Sequence, residues 1–486
     1  MNVLFVSPEV NPIVRTGGLG DVVGSLPLAL QNVGVDVRVI CPLHRVCQPL
    51  PKKYFSIKAQ ILWDGESITG KIAQTEANGV TIYLLDIPAL YDRPGVYADS
   101  NGNYEDNAVR SVALCQAAVQ LGAIIKWEPD VLHAHDWMAA ATPAYLNASA
   151  KPQNCTRSVL TIHNLEHQGV LTYDDFLKSG LPRHFWGMDG FEHQGKFNLL
   201  KGGIQHANKI TTVSPTYSQE IRTPEYGCGL EESLKYRGAD IIGILNGIDE
   251  SDWDPANDSA LPHPISHKSP SKGKKHCKLA LLQEMRLPES TESPLFGVVS
   301  RLYSQKGLDL LGEILPRLIE SKYGNYVILG SGAQEEENRF QDLAQAYPDR
   351  IATYIGFDDG LARRIFAGSD FFIMPSRFEP CGLAQQYAMH YGSIPIARKT
   401  GGLADTISPW DMKSPHANGF LFEQATPASL LRAMEQAIDL YAKPRSFQKI
   451  RKNALHSPCS WENAARNYLQ CYQWAISQPS SPKIGE

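Results

Sequence analysis

Short apolar runs recur along the chain, and most are followed by a stretch in which apolar residues return every three or four positions. This alternation of buried strand and amphipathic helix is the pattern of parallel sheets covered on both faces. In the first half it predicts strands at 3–6, 36–41, 81–85, 130–135, 159–163, 210–213 and 241–245. Helices are predicted between them, among others at 20–33 (bent near Pro27), 105–125 and 198–207. The pattern restarts in the second half with strands at 296–299, 326–329, 351–355, 371–374 and 394–397. No repeat of 20–50 residues is visible.

With 486 residues the chain is too long for one hydrophobic core,. The stretch 254–270, rich in Pro, Asp, Ser and His, marks the boundary between the halves,. The expected division is therefore 1–249, 250–459 and a C-terminal helix within 460–486 that crosses back to the first domain. The locally basic segment 266–278 lacks interleaved aromatics and is expected to be a solvated interdomain linker.

Composition narrows the function classes. At 43% hydrophobic and 20% charged residues, with a formal net charge of −5, the chain gives no reason to expect nucleic acid or an anionic membrane as partner,. Nine cysteines without a C-x-x-C pair point to free thiols in a reducing compartment rather than a disulfide framework or a zinc knuckle,. The first residues enter a strand at once, and no apolar run approaches the ~18–20 residues that span a bilayer. A cytoplasmic location is expected.

Three segments carry candidate chemistry. Gly17, Gly18 and Gly20 follow the first strand and open a helix, a context in which backbone amides approach a phosphate,. Their G-G-x-G spacing, and the absence of an acid after the second strand, argue against a dinucleotide-binding dehydrogenase. Arg301 and Lys306 follow the first strand of the second half. There a planar guanidinium and a point charge suit a diphosphate leaving group, although a surface loop with two stray cations would read alike,. Glu379 precedes Pro380, Cys381 and Gly382 at the start of a helical pattern, so a carboxylate and free backbone N–H groups converge there,. Two other readings compete. His133 and His135, two apart on one strand, share a face and could hold a metal, but no further ligands are evident. Cys381 has no nearby base to make it a nucleophile. Trp137, Trp186, Trp253 and Trp410 read as core rather than as sugar platforms.

Taken together these segments resemble a family. Ser7-Pro8-Glu9 with Arg15 to Asp21, Tyr104 to Asn107, His133 to Trp137 and Thr161 to Asn164 match in order. Leu245 to Asp249, Ser300 to Gly307, Arg377 to Leu383 and Thr400 to Leu403 follow. The chain is similar over essentially its full length to bacterial-type glycogen synthases and plant-type starch synthases, retaining glucosyltransferases of family 5. The resemblance implies an α/β GT-B fold, two Rossmann-like doubly wound parallel-sheet domains facing a central cleft. It implies transfer of glucose from ADP-glucose to the non-reducing 4-hydroxyl of an α-1,4-glucan (maltooligosaccharide, glycogen or starch), with no cofactor and no metal. Arg301 and Lys306 would hold the pyrophosphate, with Arg15, Gly17 and Gly18 beside it. Glu379 would bind the glucose and stabilise positive charge at its anomeric carbon. Cys381, Gly382 and Leu383 would line the sugar, the last two through their amides. Asn246 would reach the 6-hydroxyl, Phe357 would lie against the adenine, and Asp106 and His163 would shape the N-terminal side.

Three positions depart from the family pattern. Arg15 stands where Lys is frequent, Ala384 where Thr is usual, and Met138 where many members carry His. The Met138 carbonyl, expected to face the anomeric centre, survives the exchange. Starch synthases of classes III and IV also lack that His, which places the chain near their branch, with a cyanobacterial character. The alternative is a glucan-binding or regulatory paralogue with weakened catalysis.

Overall fold

The computed structural model describes residues 1–47, 53–100, 102–149, 155–321, 323–411 and 414–477. They divide into two compact units: unit 1 comprises Met1–Asn246 and the chain from Trp461 onward, and unit 2 comprises Gly247–Ser460.

Unit 1 is built on seven parallel strands: β1 (Asn2–Val6), β2 (Asp36–Pro42), β3 (Val80–Asp86), β4 (Val131–His135), β5 (Arg157–Ile162), β6 (Lys209–Thr212) and β7 (Ile241–Gly243). Their spatial order is β7-β6-β5-β4-β1-β2-β3. All seven lie within a few residues of the predicted positions, because strands covered on both faces must be apolar throughout. An antiparallel edge was not predicted: Glu66–Ala77 joins β3, and Ala59–Trp63 and Lys53–Tyr54 pair with it. The two tight turns of this edge are Asp64-Gly65 and Asn78-Gly79, all four residues at positive φ, as a two-residue hairpin demands,. The C-terminal helix Trp461–Ser477 belongs to unit 1. Its Trp461, Tyr468 and Tyr472 join the core formed by Val3, Phe5 and Leu26.

Two readings from the sequence are corrected here. The helix Asn107–Ile125 is long and apolar enough to cross a bilayer, contrary to the expectation that no such run exists. It is buried inside unit 1 instead. Its one guanidinium, Arg110, is fully buried and donates to the Leu90 carbonyl at 2.9 Å and the Val96 carbonyl at 2.7 Å. The supposed linker 266–278 is largely the first part of a helix, Pro270–Glu284, packed into unit 2. Lys274 and Lys278 are buried there. Lys274 Nζ donates to the Ser369 carbonyl at 2.7 Å, and Lys278 Nζ to Asp370 Oδ2 at 2.6 Å. Arg451 takes the other Asp370 oxygen at 2.6 Å. Burial opposes the Asp370 carboxylate, but these two cations outweigh it and hold its pKa below the usual carboxylate value,.

Unit 2 is a six-stranded parallel sheet: β8 (Leu295–Val299), β9 (Asn325–Gly330), β10 (Ile351–Ile355), β11 (Phe371–Met374), β12 (Ile394–Arg398) and β13 (Phe420–Phe422), in the order β10-β9-β8-β11-β12-β13. Successive residues point to opposite faces. Thus Phe371 and Ile373 enter one core, while Phe372 and Met374 enter the core on the other side. Each unit is a doubly wound α/β sheet of the Rossmann kind.

Candidate active site

In a doubly wound sheet, ligands bind beyond the carboxyl ends of the strands where the winding reverses. In unit 2 the chain runs outward from β8 through β9 to β10, then returns to β11 and runs the other way. The reversal falls between β8 and β11, and the loops leaving these two strands carry Arg301, Lys306 and Glu379.

The two loops are latched together. The Arg377 guanidinium grips Asp309 at 2.7 and 2.6 Å and donates to the Ser304 carbonyl at 2.7 Å. The Arg377 N–H donates to the Gln305 carbonyl at 2.8 Å. Between the loops passes Gly307, in the left-handed region at φ 63, where a Cβ would collide with the Pro375 carbonyl. This latch sets Lys306 Nζ at 2.6 Å from Glu379 Oε2, and the Ser376 hydroxyl donates to the same oxygen at 3.0 Å. Glu379 is 6% exposed. Neither charge is free to wander, because each is the counter-ion of the other. Arg301, five residues before Lys306 on the same loop, is exposed, and so is Phe357 in the loop after β10, at 82%.

Beyond Glu379 the backbone turns on three glycines. Gly382 sits at φ 70 and leads through Leu383 into the helix Ala384–His390. No side chain caps that helix, so its first N–H groups have no acceptor within the helix,. Cys381 is buried under the turn. Gly402 donates to the Glu379 carbonyl at 3.1 Å, and Gly401, at φ 43, passes so close that a Cβ would collide with that carbonyl. Gly401→Ala is therefore expected to displace the Glu379 backbone. The left-handed conformation alone costs at least about 1–2 kcal/mol for a residue with a Cβ. A urea melt should show the loss, and an unchanged midpoint would contradict this packing.

Unit 1 has its own reversal, between β1 and β4. The loop after β1 holds Arg15, Thr16, Gly17 and Gly18, all exposed, and leads into the helix Gly18–Asn32. Its shape is set by Glu9, which is 2% exposed. Glu9 accepts from the Gly17 N–H at 3.3 Å and the Thr16 hydroxyl at 2.6 Å. Arg15 pairs with Asp21 at 2.8 Å. Asp106 is held by both Arg93 nitrogens, one at 2.8 Å. Asn246, where the first segment of unit 1 ends, is buried.

The loop after β4 carries Met138. Its side chain is buried, and its carbonyl accepts from the Ser111 hydroxyl at 2.8 Å and from the Cys115 thiol at 3.5 Å. The His163 backbone N–H donates to Asp136 Oδ1 at 2.7 Å, and the His163 ring Nε2 lies 3.0 Å from His135 Nδ1. Burial lowers His163 to about 3 and raises Asp136 to about 7. The metal reading of His133 and His135 finds no support. His133 spends both ring nitrogens on the Tyr472 and Thr161 hydroxyls.

The structure thus brings Lys306 and Glu379 together and places Arg301, Cys381, Gly382 and Leu383 on the same two loops. Three residues that organise the site were given no role from sequence: Glu9 and Arg377, which lie in segments that carry the resemblance, and Ser376, at the start of the Glu379 stretch.

Two doubly wound units in one chain, one of them with a cation–carboxylate pair at its reversal point, fit a glycosyltransferase of the GT-B class, and the comparisons with known proteins show that class. The family described as starch synthase catalytic domain matches residues 2–236, and that described as glycosyl transferases group 1 matches 283–454. The chain is 41% identical over 483 residues to the glycogen synthase of Francisella tularensis subsp. novicida (strain U112), covering 97% of this chain and 99% of that one. The same figures hold for the glycogen synthase of Francisella tularensis subsp. tularensis (strain SCHU S4 / Schu 4). The catalytic domain of starch synthase IV from Arabidopsis thaliana, solved with ADP and acarbose, matches with a TM-score of 0.89 and 32% identity, over 98% of this chain and 99% of that one. Sucrose-phosphate synthase from Thermosynechococcus elongatus, at a TM-score of 0.60 and 16% identity over 97% of this chain and 98% of that one, shares the fold alone. The chain belongs to the glycogen and starch synthase family.

Proposed function

We propose that the protein transfers glucose from ADP-glucose to the non-reducing 4-hydroxyl of an α-1,4-glucan, with retention of configuration and without a metal. The observation that carries this reading is the Lys306–Glu379 pair at 2.6 Å on the two loops that leave the sheet at its reversal. Breaking the bond between glucose and diphosphate builds positive charge on the sugar and negative charge on the leaving group. A fixed carboxylate and fixed cations set side by side can stabilise both without reorganising. Lys306 and Arg301 take the diphosphate, so no metal is needed to neutralise it. Glu379 faces the sugar, and the N–H groups of Gly382 and Leu383 hold its hydroxyls. Phe357 offers the adenine an exposed aromatic face. Attack from the side the diphosphate leaves would retain the configuration without a covalent intermediate on Cys381, which is buried.

A panel of ADP-, UDP- and GDP-glucose with maltooligosaccharides tests the proposal. The expected result is ADP release matched by chain growth, a new linkage of α configuration, preference for the adenine donor and no gain from added Mg²⁺ or Mn²⁺. Absence of turnover with intact glucan binding would favour the non-catalytic paralogue.

A further inference from the structure

Unit 2 holds a second cluster of reactive side chains that glucosyl transfer does not use. Glu250 lies just inside the segment by which the chain enters the unit, and Cys459 just before the segment by which it leaves. The two segments are joined. The Ile248 N–H donates to the Cys459 carbonyl at 2.7 Å, and Ile248 bridges Ser460 in parallel. Against this junction rests His390, the last residue of the helix that begins at Ala384. Cys459 Sγ is 3.5 Å from His390 Nδ1 and 3.7 Å from Glu250 Oε1. The three ligand atoms all lie within 4.8 Å of one another. Cys459 and His390 are buried, and Glu250 is exposed.

These spacings can be compared with what a metal needs. A tetrahedral zinc ion takes sulfur at about 2.3 Å and nitrogen or oxygen at about 2.0–2.1 Å, so its ligands stand about 3.3–3.6 Å apart. The sulfur–nitrogen distance already falls in that range. The sulfur–oxygen distance, 3.7 Å, lies just outside it, and Glu250, being exposed, can close the remainder by rotating its side chain. One thiolate, one imidazole and one carboxylate form a donor set for zinc or cobalt rather than for magnesium or calcium. His267 is a further imidazole close to the cluster, its ring centroid 4.9 Å from that of His390, and a water can complete a tetrahedral set of three protein ligands,.

We propose that Glu250, His390 and Cys459 form a binding site for a zinc-class metal ion. The ion would staple the entry and exit segments of unit 2 to the far end of the helix whose near end carries the Glu379–Leu383 turn. This is a structural site, separate from the transfer reaction, and it does not rest on the donor assignment above. The competing description is a thiol hydrogen-bonded to a carboxylate and an imidazole, and the two differ in what they bind.

The test uses the full chain, stripped of metal and titrated with Co²⁺. One equivalent is expected to bind, with intense thiolate-to-cobalt absorption in the near ultraviolet and the strong visible bands of tetrahedral cobalt. Zn²⁺ should displace it and Mg²⁺ should not. Cys459→Ser should abolish the charge-transfer band. Glu250→Gln, an exposed and conservative change that leaves folding intact, should weaken affinity by at least about 10–100-fold. Zn²⁺ should raise the melting temperature of the wild type and not that of Cys459→Ser, since binding to the native state alone stabilises it. No charge-transfer band in the wild type, or a band that survives in Cys459→Ser, would overturn the proposal.

Discussion

Glu379→Ala is expected to lower glucosyl transfer from ADP-glucose by several orders of magnitude, chiefly in kcat. Removing one fixed electrostatic contact that acts at the transition state costs about 10²–10³ in rate. Here the loss is compounded, because the carboxylate is also the counter-ion that positions Lys306 at 2.6 Å. Without it a cation with only 16% of its side chain exposed is left unpaired, free to swing from the geometry that would meet the diphosphate. A residue acting only in ground-state binding would raise KM and leave kcat alone. Glu379→Gln separates charge from shape: it can still accept from Ser376 and Lys306 but cannot offset positive charge on the sugar. Both variants should therefore be slow, with alanine the slower. Thermal melts of both would show that the unit still folds. A near-normal rate in either would remove the carboxylate from the chemistry.

What the sequence made legible follows from how each element is buried. Strands such as β1 and β11 are covered on both faces, so they read as unbroken apolar runs and can be placed within a residue or two. The Glu66–Ala77 strand is half exposed and mostly polar, so its run says little. Its turns did carry a signal, Asp64-Gly65 and Asn78-Gly79, which is the strongest short-range mark of a hairpin. The segment 266–278 misled for a different reason. Its lysines suggested a solvated chain, yet Lys274, Cys277, Lys278, Leu281 and Leu282 follow helical spacing and all are buried. Composition argued against a pattern that periodicity supported, and the partners that make two buried lysines tolerable come from positions near 370, 393 and 441. Those partners cannot be seen locally. The same holds for the site. Arg301, Lys306 and Glu379 were legible because they sit directly after strands. Arg377 and Glu9 shape the loops through contacts across the fold, and the inward turn of the Met138 carbonyl depends on Ser111 and Cys115, a helix away.

Acid should unfold unit 1 well before it unfolds most proteins of this size. Five of its histidines are held neutral. Burial lowers His163 to about 3. It also lowers His44 and His206 to about 4, with help from Arg110 and Arg237 respectively. His133 and His135 are driven well below the ordinary histidine value, again mainly by burial. In the unfolded chain each titrates near 6.5, so between that pH and the folded values the unfolded state binds more protons. Stability must then fall as pH falls. Asp136 acts in the opposite sense. Burial raises it to about 7, so from pH 7 down toward 3.8 the folded state binds the extra proton and gains. One carboxyl cannot balance five imidazoles. Each shifted group contributes up to about 1.4 kcal/mol per pH unit, so the net loss near pH 5 approaches several kcal/mol per unit, comparable to the whole stability of a typical domain. Melting curves at pH 7.5, 6 and 5 should show a steep drop in Tm below pH 6. The steepness should be reduced in a variant that exchanges His44 or His206 for glutamine, a neutral side chain that does not titrate. A Tm that holds level down to pH 4.5 would mean that these rings are protonated without penalty, and the buried hydrogen-bond chain from Tyr472 through His133 to Thr161 would need a different account.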